Sequence, residues 1–258
     1  MTTSQFLLSA WTFNPLVAIG SWAALAWYLG AYRLAPRAGW FFAGIVLLAL
    51  TLLSPLNLLA QGCLFSAHMA QHIVLLLLVP GLLLLGLPAR AARPGRRRGF
   101  LVPAAGWLGG MGAMWFWHVP VLCNAAANSP MVHGLQTVSL LALGCLFWWP
   151  ILSPTETDRL FPPAAVVYLG GACFACSLLG IIITLSPVPV CSIFTMPRPD
   201  DAAITQMIQL RWGLTPEKDQ QIGGLLMWVP MCLVYFAAIL AQVARWFAEP
   251  AIAVKEQT

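Results

Sequence analysis

Long apolar runs separated by short polar or proline-rich segments dominate the sequence. A run of about 20 apolar residues is long enough to cross a bilayer core as an α-helix. The breaks between runs coincide with proline, glycine and charged residues, as in RLAPRAG and SPTETDRLFPP. The pattern therefore predicts an all-α, polytopic bundle of seven transmembrane helices forming a single domain over residues 1–258. The predicted spans cover approximately residues 14–34, 39–60, 66–86, 100–120, 131–151, 162–186 and 222–247.

The composition supports a membrane protein. Hydrophobic residues make up 60% of the chain and charged residues only 8%, with a mean hydropathy of +0.82, whereas about a quarter of the residues of a soluble domain are charged. The net charge of +5 is collected in short loops between the apolar runs. It is therefore interpreted as a membrane-orientation signal, and no nucleic-acid partner is expected.

The distribution of Lys and Arg predicts the orientation in the membrane. The loops after the second and fourth predicted spans contain neither residue, whereas the loops after the first, third and fifth spans contain two, five and one arginines. Because cytoplasmic loops carry the excess of positive charge, the N-terminus is expected outside and the C-terminus in the cytoplasm. The basic positions are Arg33, Arg37, Arg90, Arg93, Arg96, Arg97, Arg98 and Arg159, with Arg245 and Lys255 in the tail.

The sixth connection, residues 187–221, is an exception because it is predicted to be external but contains Arg198, Arg211 and Lys218. It also contains four acidic residues and the segment DDAAITQMIQLRW. This segment predicts a short amphipathic helix along the outer surface. A long external element of this kind could cover a site or receive a partner.

Carboxylates are confined to the loops and the tail. None of the eight Asp and Glu residues lies in a predicted span, which argues against a pump or a proton-driven carrier. Asp219 lies just before the seventh span, where an acidic residue commonly caps the N-terminus of its own helix.

The four histidines share one end of the predicted bundle. His68 and His72 open the third span, His118 closes the fourth, and His133 opens the fifth. With the predicted orientation, all four lie at the external ends of three different helices. The i, i+4 spacing of His68 and His72 directs both rings to one side of a helix, where they can reach one metal ion.

Soft donors accompany these histidines. Met111 and Met114 precede His118 on one helix face, and Met227 and Met231 form an i, i+4 pair near the external start of the seventh span. Imidazole with thioether, together with thiols such as Cys63, Cys123 or Cys191, suits copper and especially Cu(I), while zinc stays open because imidazole also binds it. Single interfacial histidines and buried methionines more often serve in packing or hydrogen bonding than as ligands.

The seven cysteines do not predict a disulfide framework, because most fall within apolar segments. Cys145, Cys173, Cys176 and Cys232 are interpreted as small packing residues.

Several motifs together resemble the CtaG-like family of cytochrome c oxidase assembly factors. They cover the third to seventh predicted spans, in order and with the family's spacing. The motifs are His68-Met-Ala-Gln71-His72 followed by LLLLVPGLLLLGLP, Trp117-His118-Val-Pro120, Phe147-Trp148-Trp149-Pro150, and Asp219-Gln220-Gln221-Ile-Gly223-Gly224 with MWVP.

The resemblance implies a seven-helix protein of the bacterial plasma membrane that helps to assemble a haem-copper oxidase by supplying copper. It assigns functional roles to His68, His72, His118, His133 and the Asp219 segment. The family often has a second histidine one turn after His133, preceded by an acid, but this chain has Gln136-Thr137 there. The site would then have one ligand fewer, or recruit Met227 or Asp219.

The leading hypothesis is a non-enzymatic copper metallochaperone acting on an oxidase subunit or assembly intermediate. His68 and His72 are its predicted primary ligands, His118 and His133 complete the ligand set, and Met114 is an accessory donor. The alternatives are a haem-binding membrane cytochrome, in which facing histidines are axial ligands, and a structural subunit of a respiratory complex. A transporter ranks last, and homodimerisation stays open.

Overall fold

The computed structural model describes residues 3–89, 99–196 and 202–255 of the chain. It is all-helical, with 82% helix and, among the described residues, no β-strand. The α-helices are α1 (Thr3–Ser9), α2 (Pro15–Tyr32), α3 (Ala38–Leu53), α4 (Pro55–Ala60), α5 (Phe65–Ile73), α6 (Val79–Gly86), α7 (Leu101–Trp117), α8 (Pro120–Asn128), α9 (Pro130–Leu152), α10 (Pro162–Leu185), α11 (Ala202–Arg211) and α12 (Pro216–Lys255). A π-helix, Val74–Leu78, joins α5 to α6, and two 3₁₀ turns lie at Glu156–Asp158 and Ser192–Phe194.

Four helical segments of the described chain are long and apolar enough to cross a membrane: Phe65–Gly86, Pro130–Leu152, Pro162–Leu185 and Pro216–Ala248. They coincide with the third, fifth, sixth and seventh predicted spans. Helices also occupy the other three predicted ranges, but α3 and α7 are shorter, at 16 and 17 residues. Seven spans and an external N-terminus therefore stay predictions. The arginines predicted between residues 90 and 98 lie outside the described residues.

Two predicted spans have different boundaries in the structure. The second is interrupted at Ser54, whose hydroxyl caps α4 by accepting a hydrogen bond from Leu56 N, and Pro55 opens the new helix. The seventh begins at Pro216 rather than at residue 222. Glu217 and Asp219 consequently lie on the first turn of α12 and not in the preceding loop.

The π-helix begins at Val74, immediately after Ile73, the last residue of α5. Pro80 follows two residues after it, and a proline lacks an N–H and crowds the carbonyl four residues earlier, here Leu76 O. Gly144 of α9 packs directly against this carbonyl, because a Cβ there would lie 2.4 Å from Leu76 O and 2.7 Å from Pro80 Cγ. The local widening of the helix is thus accommodated by a neighbour without a side chain.

The core surrounds the central span formed by α5, the π-helix and α6. An aromatic group in this core consists of Phe147 of α9, Tyr168 of α10 and Tyr235 of α12. The ring centroids of Tyr168 and Tyr235 lie 5.1 and 5.8 Å, respectively, from that of Phe147. Helices α10 and α12 run antiparallel in close contact at Gly180 and Gly224. A Cβ on Gly180 would approach Gly224 O to 2.9 Å, so glycine at this crossing permits the backbone contact.

Candidate metal centre

Three of the four histidines form one buried cluster at the start of the central span. The His68 and His72 ring centroids are 4.5 Å apart, and those of His72 and His118 are 5.0 Å apart. All three side chains are at most 5% exposed. The i, i+4 spacing on α5 and the C-terminus of α7 together produce the convergence that the sequence predicted.

Backbone carbonyls orient two of these rings. His68 Nδ1 lies 3.1 Å from Ala60 O, and His118 Nδ1 lies 2.5 Å from Met114 O. A carbonyl only accepts hydrogen bonds, so Nδ1 is the protonated nitrogen in both rings. The neutral rings therefore carry a lone pair on Nε2, and a backbone carbonyl that accepts the Nδ1 proton imposes the same arrangement on metal-binding histidines.

Several of the remaining polar atoms in the cluster have no hydrogen bond. They are His68 Nε2 and both ring nitrogens of His72. Burial of a polar group without a partner costs about 1–3 kcal/mol in proteins. Three such atoms side by side are accounted for most simply by a ligand that fills the space between the rings.

Met69 supplies a sulfur to this cluster. Its Sδ lies 3.1 Å from His118 Nε2, and its side chain is fully buried. The contact brings an imidazole nitrogen and a thioether sulfur together, and both of these groups are ligand types that suit a soft cation. The sequence prediction missed Met69, although its position between His68 and His72 was a usable signal.

His133 lies at the edge of the cluster. It is close enough to interact electrostatically with His68 and His72, but its side chain is only half-buried. Gln136, one turn further along α9, lies close to the His72 ring and is buried. The Thr137 hydroxyl donates a hydrogen bond to His133 O of its own helix.

The two predicted accessory methionines are both fully buried. Met114 contributes its backbone carbonyl to His118, while Met227 belongs to the main core around α5, α7 and α12. Their use as metal ligands stays a prediction.

Asp219 caps a different helix from the one expected. Its carboxylate accepts hydrogen bonds from Phe65 N at 2.6 Å and from Ser66 N at 3.1 Å, and the Ser66 hydroxyl donates to it as well. These groups begin α5, whereas Asp219 itself lies on α12. The residue therefore fixes the helix that carries His68, Met69 and His72, and it uses both of its oxygens to do so.

A short segment after α10 covers the cluster. The Phe194 ring lies 5.6 Å from His68 and 5.6 Å from Phe65, centroid to centroid. Asn124 Oδ1 on α8 accepts hydrogen bonds from Ile193 N at 3.0 Å and from Ser192 Oγ at 3.2 Å. This segment, residues 186–196, is called the cover below.

A disulfide between Cys123 and Cys191 ties the cover to α8. The prediction that these two residues provide thiol ligands, in a chain without structural disulfides, is therefore wrong. Neither residue lies within an apolar span, and their separation of 68 residues gave no local pattern from which the pairing could be predicted.

Among the described residues, no three His, Cys, Asp or Glu side chains are arranged to hold a metal ion by themselves.

The match with known families covers most of the chain. The family model described as cytochrome c oxidase caa3 assembly factor, Caa3_CtaG, matches residues 20–249. The chain belongs to this family. The resemblance predicted from the motifs is thereby confirmed, and association with cytochrome c oxidase assembly follows at the level of the family.

Relatives in mycobacteria show more distant similarity. A protein of Mycobacterium leprae described as uncharacterized is 23% identical over an alignment of 273 positions that covers 92% of this chain. A protein of Mycobacterium bovis and one of Mycobacterium tuberculosis, also described as uncharacterized, are each 23% identical over 93% of this chain. The chain spans about 40% of the length of these relatives. No solved structure matches it.

The Asp219–Gly224 motif of this assembly-factor chain supports the histidine cluster. Gln220 accepts a hydrogen bond from Val190 N of the cover at 2.9 Å, and its amide donates to Val188 O at 3.2 Å. Gly223 lies against Phe65 and Met69, where a Cβ would approach the Phe65 ring to 2.5 Å. The motif thus holds α5, the cover and α12 together.

Proposed function

We propose that this oxidase assembly factor binds Cu(I) between His68, Met69, His72 and His118 and delivers it to a cytochrome c oxidase subunit. The observation that supports the proposal is the buried packing of the His68, His72 and His118 rings, with His118 Nε2 lying 3.1 Å from the Met69 sulfur. Copper is the cargo in this scheme, and no chemical conversion is required of the protein. His133 and Gln136 border the space from α9.

The donor set favours release as well as binding. All of the proposed ligands are electrically neutral, so the charge of the bound ion is left uncompensated in a buried site. Such a site holds Cu(I) less tightly than one built from thiolates, which suits a protein that gives its cargo away. Ligand exchange would proceed by replacing one imidazole or thioether at a time with a donor of the partner.

Haem binding fits the cluster less well. Bis-histidine haem needs the macrocycle between two rings on facing helices. The His72 and His118 rings are in direct edge contact at 5.0 Å, so there is no space between them for a porphyrin. Zinc is less favoured because the sulfur in contact is a thioether, which is a ligand typical of Cu(I).

The test is complementation of a strain that lacks the chain. We expect a His72→Ala variant to reach the membrane at the wild-type level but to leave the oxidase short of copper and of activity. Membrane abundance of the variant, measured by immunoblot, separates this result from misfolding. Full copper occupancy of the oxidase in that strain would contradict the proposal.

A further inference from the structure

A second group of soft side chains lies in the middle of the α10–α12 pair, away from the histidines. Cys173 Sγ and Cys232 Sγ are 3.0 Å apart, and the Ser177 hydroxyl lies 3.1 Å from Cys232 Sγ. Cys176 Sγ lies 3.8 Å from Met111 Sδ and 3.8 Å from the Tyr235 hydroxyl. Two sulfur pairs are thus present: a partly buried thiol pair between α10 and α12, and a buried thiol–thioether pair between α10 and α7.

The thiol pair is a consequence of how α10 and α12 cross. Gly180 and Gly224 bring the two backbones together. Cys173 lies seven residues before Gly180, and Cys232 lies eight residues after Gly224. In an antiparallel pair these displacements carry both side chains along the same interface to the same level. This level is near the middle of the 24-residue helix α10.

Buried methionines occupy α7 and α12 between this level and the histidine cluster. Met111, Met114 and His118 follow one face of α7, and seven residues of helix separate the first from the last, or about 10 Å along the axis. Met227 and Met231 of α12 lie between Asp219 and Cys232 in the sequence and are fully buried.

We propose that Cys173 and Cys232 form a second Cu(I) site at the α10–α12 interface. The choice of Cu(I) as the metal rests on the proposed function. The choice of Cys173 and Cys232 as ligands rests on their contact and does not depend on that function. Soft thiolate and thioether ligands select Cu(I), and two sulfur donors are enough to hold it. Because this site has two cysteine ligands, it does not require a group of three His, Cys, Asp or Glu side chains.

Proton release balances the charge of this ligand set. Because the thiolate is the form of cysteine that binds a metal, each of the two thiols releases a proton to solvent as its sulfur–copper bond forms. The bound unit of one Cu(I) and two thiolates then carries a net charge of −1. Cys173 and Cys232 are both partly buried. No oxidant or reductant is consumed, because the copper and both sulfurs keep their oxidation states.

The experiment uses the full chain purified in detergent and loaded anaerobically with Cu(I) in ascorbate, a reductant that spares disulfides such as Cys123–Cys191. Bicinchoninate competition removes loosely held copper. We expect two Cu(I) per chain in the wild type and one in a Cys173→Ser/Cys232→Ser variant. X-ray absorption should show fewer sulfur scatterers per copper ion in this variant than in the wild type, because only the histidine site stays occupied. Cys145→Ser, a thiol on α9 outside the group, should keep both ions.

Misfolding and the fate of the histidine site are separated by further variants. Cys173→Ala/Cys232→Ala, with small side chains suited to the helix crossing, should lose the same single ion while keeping its helical circular dichroism. A His68→Gln/His72→Gln variant should lose the nitrogen-ligated ion and retain the sulfur-ligated one. Unchanged stoichiometry and sulfur scattering in the cysteine variants would overturn the proposal, as would a native Cys173–Cys232 disulfide in non-reducing peptide maps.

Discussion

At the residue scale, the site depends on which nitrogen of each imidazole carries the proton. The carbonyls of Ala60 and Met114 hold the Nδ1 protons of His68 and His118, and this leaves Nε2 of both rings available. Met69 completes the arrangement from within the same turn of α5 as the histidine pair. The atom nearest to His118 Nε2 is thus a thioether sulfur, while the His72 ring lies against the edge of the same imidazole.

Met69→Leu tests the role of this sulfur. Leucine keeps the hydrophobic volume, and exchanges of this type usually cost less than about 1.5 kcal/mol of stability. We expect the variant to remain folded and to bind Cu(I) at least tenfold more weakly in competition titrations. Met131→Leu, at a methionine that is 81% exposed, is the matched control. Equal affinity of the Met69 variant and the wild type would show that the sulfur is only a packing group.

Asp219→Asn tests the cap on α5. The substitution removes the charge and one of the two acceptor oxygens, and a hydrogen bond to a charged group contributes about 1.5–3 kcal/mol. We expect a lower thermal unfolding midpoint and a weaker copper affinity, because the start of α5 is released. Glu217→Gln, an exposed acid on the same turn, should change neither. An unaltered midpoint in the Asp219 variant would contradict the role assigned to it.

At the element scale, close packing and one covalent link position the site. Glycines at 144, 180, 223 and 224 allow helices to approach α5, α6 and each other. The Cys123–Cys191 disulfide and Asn124 hold the cover against α8, which places Phe194 over His68. The cover thus contributes to the burial of His68.

Gly223→Ala should disturb this packing directly. A methyl group would meet the Phe65 ring at 2.5 Å and Met69 Cγ at 3.1 Å, so α5 has to shift. Overpacking of this kind costs about 1–3 kcal/mol. We expect a lower unfolding midpoint together with reduced copper binding. Gly170→Ala, on a helix surface with open space around it, is the control and should be neutral or slightly stabilising.

Removal of the disulfide should release the cover. A Cys123→Ser/Cys191→Ser variant loses a crosslink between residues 68 apart in the chain, for which the chain-entropy model gives a loss of about 4 kcal/mol. We expect a lower unfolding midpoint and faster copper transfer to an external chelator in stopped-flow measurements. Unchanged transfer kinetics would mean that the cover does not control access.

At the scale of the whole molecule, periodicity and composition were sufficient for the helical fold. The central and last three spans appear where the apolar runs predicted them, because run length is a local property of the sequence. The start of α12 at Pro216 and the break at Ser54 were missed, because helix caps and prolines decided the boundaries there. The cap by Asp219 on α5 depends on residues 153 or more positions apart, and no local pattern contains that information.

The candidate site was predicted only in part for the same reason. The i, i+4 spacing predicted that His68 and His72 lie on one face of a helix. The predicted orientation of the spans placed His118 at the same end of the bundle. The contributions of Met69 and Gln136 depend on rotamers and on the relative rotation of α5, α7 and α9. The pairing of Cys123 with Cys191 likewise follows from the path of the cover, which the sequence leaves open.

The orientation prediction also belongs to the whole molecule. Met196→Cys in the cover and Glu156→Cys in the loop before α10 are exposed positions at opposite ends of the bundle. With the predicted orientation, a membrane-impermeant maleimide should label the first variant in intact cells and the second only after permeabilisation. The reverse pattern would place the histidine cluster on the cytoplasmic side.

The central claim is that the histidine cluster holds copper. Its most direct test is metal analysis, with X-ray absorption at the copper edge, of the purified chain beside the His68→Gln/His72→Gln variant after equal Cu(I) loading. We predict that the variant keeps its helical content and elution volume but loses one copper ion together with the imidazole scattering. Retention of the same copper content and the same nitrogen ligands by the variant would contradict the account.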